Sequence, residues 1–422
     1  MRPLIASMDR PNRRTMKERT AESRPIDPDG RRLWWVVLLL TLVARLVPGF
    51  LITGTEDVGL SWRMAESVAG GGNPYVDTLA AWPPLWPSLG ALAFRVASFL
   101  SIPSHLAIKL WPIAADAAIA LTLFSWKRTS ETARQAFRFA LLWALNPVSI
   151  YITAVHGNFD SLPVLALLLA VLFARSEGRA TTASAWWLAA GVALKTWPLF
   201  ALPAFLDRRR IAASGRFAAI AIVPSVLMLF LLWLRTPDAI VEKVIRYRGA
   251  SGWWGTTGVA ALTGKELGAI APLLFYGLMA VTALLFLSDR DPARTAAALL
   301  VGFLAFAHGF GAQYLVWPVA VGLLVAPRIT MVYSAIAAAT LIVEGVMRPW
   351  TGELGQHLVA VPTRLFLSAY GEARDQELTT LGRIPVWTFT VGWWIWMVAL
   401  RLRTLVRQRN ASEPQSVAAF RK

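Results

Sequence analysis

Cysteine is absent from the 422 residues. That excludes disulfides, thiol chemistry and Cys-based zinc sites. Histidine occurs four times, with no pair at zinc-ligand spacing. Acidic residues are also scarce, 25 Asp and Glu against 42 Lys and Arg, for a net charge of +17. Charged residues of both signs make up 16% of the chain, where a soluble domain carries about 25%. Hydrophobic residues fill the gap: they are 56% of the sequence, and the mean hydropathy is +0.51.

The charge sits in the two tails and in short turns, leaving apolar runs of roughly twenty residues, enough to cross a bilayer. Lipid offers backbone groups no partners, so such runs must be helical. The expected class is an all-α polytopic membrane protein with about 12 transmembrane helices, its outer loops carrying short interfacial helices. The basic clusters fit cytoplasmic loops and anionic headgroups better than nucleic acid. A long polar arm before the first apolar run argues against a cleavable signal peptide.

Residues 1–32 read as a disordered basic cytoplasmic arm, 33–403 as the transmembrane domain and 404–422 as a cytoplasmic tail. An even number of crossings places both termini in the cytoplasm of a multi-pass protein of the inner (plasma) membrane. Three polar stretches, 54–83, 235–258 and 348–383, then face outward. One conflict follows. Simple alternation with crossings at 84–100 and 183–206 puts Lys127–Arg134 and Arg175–Arg179 outside, against the positive-inside rule. A re-entrant or broken segment between residues 84 and 206 reverses that, and Pro198 and Pro203 mark the later helix as the place for a break.

The 54–83 stretch stands out. A helix–helix connection needs about 2–8 residues; this one is far longer and opens on a carboxylate pair, Glu56 and Asp57. An amphipathic pattern, Leu60, Met64 and Val68, predicts a short helix in the interface plane. Gly70–Gly72, Asn73-Pro74-Tyr75 and Trp82-Pro83-Pro84 follow.

Ionisable residues at membrane depth are costly and mark function or pairing. They are Arg45, Arg95, Asp116, Lys195, His308 and Glu344. Arg45 and Arg95 can snorkel; Asp116 can pair with a base on a neighbouring helix. Lys195 needs an anion, either a lipid phosphate or a carboxylate such as Asp116 or Asp160. His156 and Asp160, four apart, are expected to share a helix face, orienting a phosphate or hydroxyl or tying two helices together. Gln313, Tyr314 and Trp317 form a polar-aromatic helix start of the kind that lines cavities. Arg246 and Arg248 suit bidentate phosphate binding or a solvated face. Trp82, Trp86, Trp253 and Trp254 can stack on sugars or anchor the interface.

The ordered set Glu56-Asp57, Gly72-Asn73-Pro74-Tyr75, Trp82-Pro83-Pro84-Leu85, Asn146-Pro147, His156-Gly157-Asn158-Phe159-Asp160, Lys195-Thr196-Trp197-Pro198 and Gln313-Tyr314-Leu315-Val316-Trp317-Pro318 resembles the GT-C superfamily. These are membrane glycosyltransferases that use polyprenyl-phosphate sugars, and the bacterial mannosyltransferase-like branch is the nearest. The resemblance implies an outer-loop base at Asp57 with Glu56 beside it. The donor is then a polyprenyl-phosphate sugar, mannose being the sugar suggested, and the acceptor a glycolipid or glycan. The leaving phosphate needs charge stabilisation, for which Lys195, Arg246, Arg248 and His308 are the candidates. His156, Asp160, Gln313 and Tyr314 are the candidate substrate-binding residues. A single displacement inverts the anomeric centre. Two adjacent acids without clustered ligands do not make a metal site, so no cofactor is expected. Two rival readings are a lipid-linked sugar flippase and a non-catalytic scaffold. A transporter favours internal repeats, and none is clear; a scaffold leaves the outer acids without purpose.

Overall fold

The computed structural model describes residues 28–177, 179–246, 253–263, 270–347 and 373–412. The first 27 residues, Arg248, most of the 348–383 stretch and the end of the C-terminal tail lie outside the described residues. Every regular element among the described residues is helical.

The first apolar run forms α1 (Pro28–Leu51). It begins before the expected entry at Leu33, so Arg31 and Arg32 ride on its first turns. Glu56 and Asp57 form the first turn of α2 (Glu56–Ala69), where the positive end of the helix dipole favours carboxylates. The expected Leu60–Val68 helix is the middle of this longer one. Asn73 caps α3 (Pro74–Asp77), its side chain accepting from the Tyr75 amide. Next come α4 (Leu85–Leu100) and α5 (Ser104–Arg128). A Thr132–Gln135 capping box starts α6 (Ala133–Ala144). Asn146 then caps α7 (Pro147–Ile150), which continues as a π-turn over Tyr151–His156; α6 and this continuous stretch meet at a 45° bend.

Further along are α8 (Ser161–Glu177), α9 (Thr182–Leu194) and a 3-10 segment, Trp197–Phe205. They lead to α10 (Ile211–Trp233), α11 (Pro237–Ile240) with a π-turn at Val241–Ile245, and α12 (Gly255–Thr263). The last third holds α13 (Ile270–Phe286), α14 (Pro292–Phe306), a 3-10 turn at Ala312–Val316 and α15 (Val319–Val325). It closes with α16 (Pro327–Met347) and α17 (Ala373–Ser412).

By length and apolarity α1, α5, α10 and α16 can each cross a membrane, and the bent α6–α7 pair makes a fifth span. Leu85–Leu100, Thr182–Leu194, Ile270–Phe286, Pro292–Phe306 and Ala312–Val325 are apolar but shorter. Two of the expected crossings turn back. The start of α4 lies beside Phe159, on which Trp86 stacks at 4.2 Å. Five residues beyond its end, His105 Nε2 is 3.4 Å from Phe50 O near the finish of α1. Both ends of α4 therefore stay at the end of the bundle that α1 reaches, and Gly90 packs on Ala65 of α2. The α2–α4 pair is a cap on the bundle rather than a crossing.

The other return is α9 with its 3-10 continuation. Arg179, just before α9, donates to Leu206 O and Leu287 O. The chain thus enters and leaves this excursion at the same end. Its apex is Lys195, whose backbone is extended (φ −158°, ψ 141°). Non-helical backbone is tolerated at membrane depth where it lines a cavity or is buried in protein. With these two returns, Lys127–Arg134 and Arg175–Arg179 move to the same end as the 207–210 arginines, and the conflict with the positive-inside rule disappears.

Breaks in the helices are sealed by buried cations. Arg45 does not snorkel. It is wholly buried, pairs with Asp116 at 2.5 Å, and donates to the carbonyls of Trp143 and Ala144 where α6 ends. Lys109 donates to Ile52 O at 2.5 Å and to Ala154 O at 2.9 Å, closing the ends of α1 and the Tyr151–His156 turn. Glu344 pairs with Arg383 at 2.5 Å.

Candidate functional site

The site assembles where the α2 N-terminus meets the His156–Asp160 loop. Gly54 adopts φ +102° ahead of α2, and Gly157 adopts φ +78° after the Tyr151–His156 turn. A Cβ on Gly157 would lie 2.2 Å from Val58 Cγ2 and 3.0 Å from Lys109 Cε, so the turn has room only for glycine. The close approach lets Thr55 donate its amide and hydroxyl to His156 O, at 3.3 and 3.0 Å.

Asp57 is thereby brought against the second loop. Its Oδ2 accepts from Asn158 Nδ2 at 2.9 Å. His156 Nε2 stands 3.2 Å from the same oxygen, off the line of a well-formed hydrogen bond. Among the described residues no group holds Oδ1. Burial pushes the Asp57 carboxyl up, but His156, the Asn158 amide and the Lys195 charge outweigh it and hold it well below the usual carboxylate range. Glu56 is exposed and has none of these contacts, which separates the two adjacent acids.

His156 and Asp160 do not share a helix face. The left-handed Gly157 ends the first turn, and α8 begins only at Ser161. The two side chains go to different partners. Asp160 is fully buried. Its Oδ2 meets Lys195 Nζ at 2.7 Å, and its Oδ1 accepts from Trp197 Nε1 at 3.1 Å and Trp317 Nε1 at 3.0 Å. Those two indoles stack at 4.6 Å and 10°. The carboxylate thus ties the apex of the α9 excursion to the Gln313–Trp317 turn. Lys195 is held by Asp160, one of the two carboxylates weighed for it, and lies 4.8 Å from the Phe159 ring and 6.0 Å from the Trp82 ring.

Beside this hub is a cavity of about 260 Å³ lined by Trp82, Lys195, Tyr276, His308, Gln313 and Tyr314, among others. It unites Lys195, His308, Gln313 and Tyr314, four candidates drawn from three separate segments. Asp57 and His156 do not line it. Arg246 is exposed at the end of the Val241–Ile245 turn and does not line the cavity; Arg248 lies outside the described residues. Trp254 is buried and donates to Leu304 O at 2.6 Å, so it packs and bonds within the protein rather than offering a face to sugar. Trp82 alone of the four tryptophans lines the cavity. Among the described residues no group of three or more His, Cys, Asp or Glu could hold a metal ion.

Four contributors escape the sequence reading. Asn158 lies in a motif noted above, yet its role in orienting Asp57 is a long-range contact with no local signal. Trp197 and Trp317 read as aromatics in the sequence, whereas here their N–H groups matter. Lys109 has a visible signal: it stands seven residues before Asp116, on the same face of α5.

A model of glycosyltransferase family 87 matches residues 85–310 of this chain. A polyprenol-phosphate-mannose-dependent alpha-(1-2)-phosphatidylinositol mannoside mannosyltransferase of Mycolicibacterium smegmatis (strain ATCC 700084 / mc(2)155) is 30% identical over 235 residues. That match covers 50% of this chain and 52% of the relative, so the chain spans about half the length of the curated protein it resembles. The family match takes in α4 to α14, the His156–Asp160 loop, the Lys195 apex and His308, and on that ground the chain belongs to glycosyltransferase family 87, a GT-C family.

Proposed function

We propose that this protein transfers a sugar, with mannose the first candidate, from a polyprenyl-phosphate donor to a glycolipid or glycan acceptor by a single inverting displacement. The reaction face is the α2–α4 end of the bundle, at the outer surface of the plasma membrane. The opposite, arginine-rich end and both termini are cytoplasmic. The observation that carries this reading is that Lys195, which lines the cavity with His308, also bears electrostatically on Asp57, a carboxylate whose Oδ2 is already fixed.

Asp57 accepts the proton of the incoming hydroxyl on Oδ1 while Asn158 and His156 hold Oδ2. The hydroxyl oxygen bonds to the anomeric carbon from the side opposite the phosphate. The bond from that carbon to the phosphate oxygen breaks, and polyprenyl phosphate leaves with the electron pair. Lys195 and His308 meet its charge. A preorganised cation acts where charge develops, and Asp160 keeps Lys195 preorganised. Gln313 and Tyr314 lie where sugar hydroxyls need donors and acceptors, and Trp82 offers a face for the ring. No step calls for a metal.

Incubating the purified chain with a panel of polyprenyl-phosphate sugars and an acceptor glycolipid tests this, with released polyprenyl phosphate as the readout. Polyprenyl-phosphate mannose is expected to turn over, and Asp57→Asn to slow release by roughly 10²–10⁴-fold with the fold intact. A wild-type rate in Asp57→Asn would remove Asp57 from the mechanism. Turnover of none of the panel would sink the transferase reading for this donor class.

A further inference from the structure

A second cavity lies at the end of the bundle remote from Asp57. It has about 720 Å³, and its wall includes Arg179, Arg208, Arg209, Arg210 and Arg290 together with Glu177. The turns after α8, after the Trp197–Phe205 segment and after α13 converge there with the last turns of α17. Arg179 is structural: it donates to Leu206 O, Leu287 O and Asp289 O, gathering three segment ends around the cavity. The other four arginines are exposed, and among the described residues none has an ion-pair partner.

The remaining acids in the wall offer little compensation. Asp289 is nearly buried and faces Arg294 at 3.2 Å and Arg401 at 3.8 Å. Asp207 accepts from the Arg209 amide at 2.9 Å, which fixes the arginine turn itself. The wall thus carries five arginines against three carboxylates, and four of the guanidinium groups are exposed with no ion pair among the described residues, a surplus of positive charge that draws an anion. Guanidinium binds phosphate bidentately. Apolar surface adjoins the cavity: Ile211, the first residue of α10 and the chain neighbour of Arg210 in the wall, is 80% exposed. A ligand carrying both phosphate and hydrocarbon fits this boundary.

We infer that this cavity binds the phosphate headgroup of an anionic phospholipid of the adjoining leaflet, its acyl chains lying along α10. The site is separate from the donor cavity and shares no lining residue with it. It would select lipid by charge, and by filling the cavity it would hold together the turns that anchor both the Lys195 excursion and α14.

The test uses the full chain in nanodiscs of mixed phosphatidylglycerol and phosphatidylcholine, with native mass spectrometry of the lipids that stay bound. Wild type is expected to retain phosphatidylglycerol preferentially. The Arg208→Gln/Arg209→Gln/Arg210→Gln variant is expected to lose that preference by roughly fivefold per arginine, with an unchanged melting curve in lipid-free detergent. If that variant does not fold, Arg290→Gln, on a different turn, carries the same expectation of about fivefold. Arg134→Gln/Arg138→Gln removes exposed charge elsewhere at the same end and is expected to keep the preference. Equal loss in that control would reduce the effect to general surface charge and overturn the site, as would no preference in wild type. Stabilisation of the detergent-purified chain by inorganic phosphate as large as that by phosphatidylglycerol would overturn the lipid assignment.

Discussion

Replacing Asp160 by asparagine separates what holds the site together from what reacts in it. Asp160 is fully buried and answers one ammonium and two indole N–H groups. An asparagine there could still accept from the two indoles through its carbonyl, but it would leave Lys195 a buried, unpaired cation between the Phe159 and Trp82 rings. Removing one partner of a buried ion pair costs about 3–5 kcal/mol, whereas replacing both is often close to neutral. Asp160→Asn is therefore expected to lower stability by about 3–5 kcal/mol, and Asp160→Asn/Lys195→Met to recover most of it. Unfolding in mixed micelles, followed by tryptophan fluorescence, reads both. Activity divides differently: the double variant lacks the ammonium in the cavity wall and is expected to bind donor poorly even though it is stable. A double variant as unstable as the single one, or one with wild-type donor affinity, would refute the account of Lys195 as a cation held in place for the phosphate.

Two further outcomes follow from the same geometry. Gly157→Ala places a methyl group 2.2 Å from Val58 Cγ2 at φ +78°. The left-handed backbone alone costs about 1–2 kcal/mol, and the displaced α2 N-terminus is expected to cost transfer activity beyond the loss of stability; a fully active variant would show that the loop need not touch Asp57. The pH profile depends on Asp57. Its folded carboxyl lies below its unfolded value, so its stabilising contribution is complete above about pH 4 and is lost as pH falls through the depressed folded value. The acid limb of kcat/KM is expected below the ordinary carboxylate range, and Asn158→Ala, which removes a hydrogen bond to the ionised form, moves that limb upward. An acid limb unaffected by Asn158→Ala would mean that a different group titrates.

The sequence by itself determined the class of molecule and the segments that matter. Hydropathy and the lack of lipid partners for backbone groups are local properties, so the apolar helices could be read directly, as could the oversized outer stretch with its two acids. So could the break invited by Pro198. The tertiary structure alone decided which apolar helices turn back. α4 and α9 are as apolar as their neighbours, and what turns them back is where their ends dock: His105 beside Phe50, and Arg179 on Leu206 and Leu287. It also decided which side chains meet. The Asp57–Asn158 contact spans 101 residues and the Asp160–Trp317 bond 157. A pattern with a period of three or four residues carries no information over such separations, so the sequence offered Asp160 to Lys195 only beside Asp116 and a lipid phosphate, and placed it on a helix face with His156 that does not form.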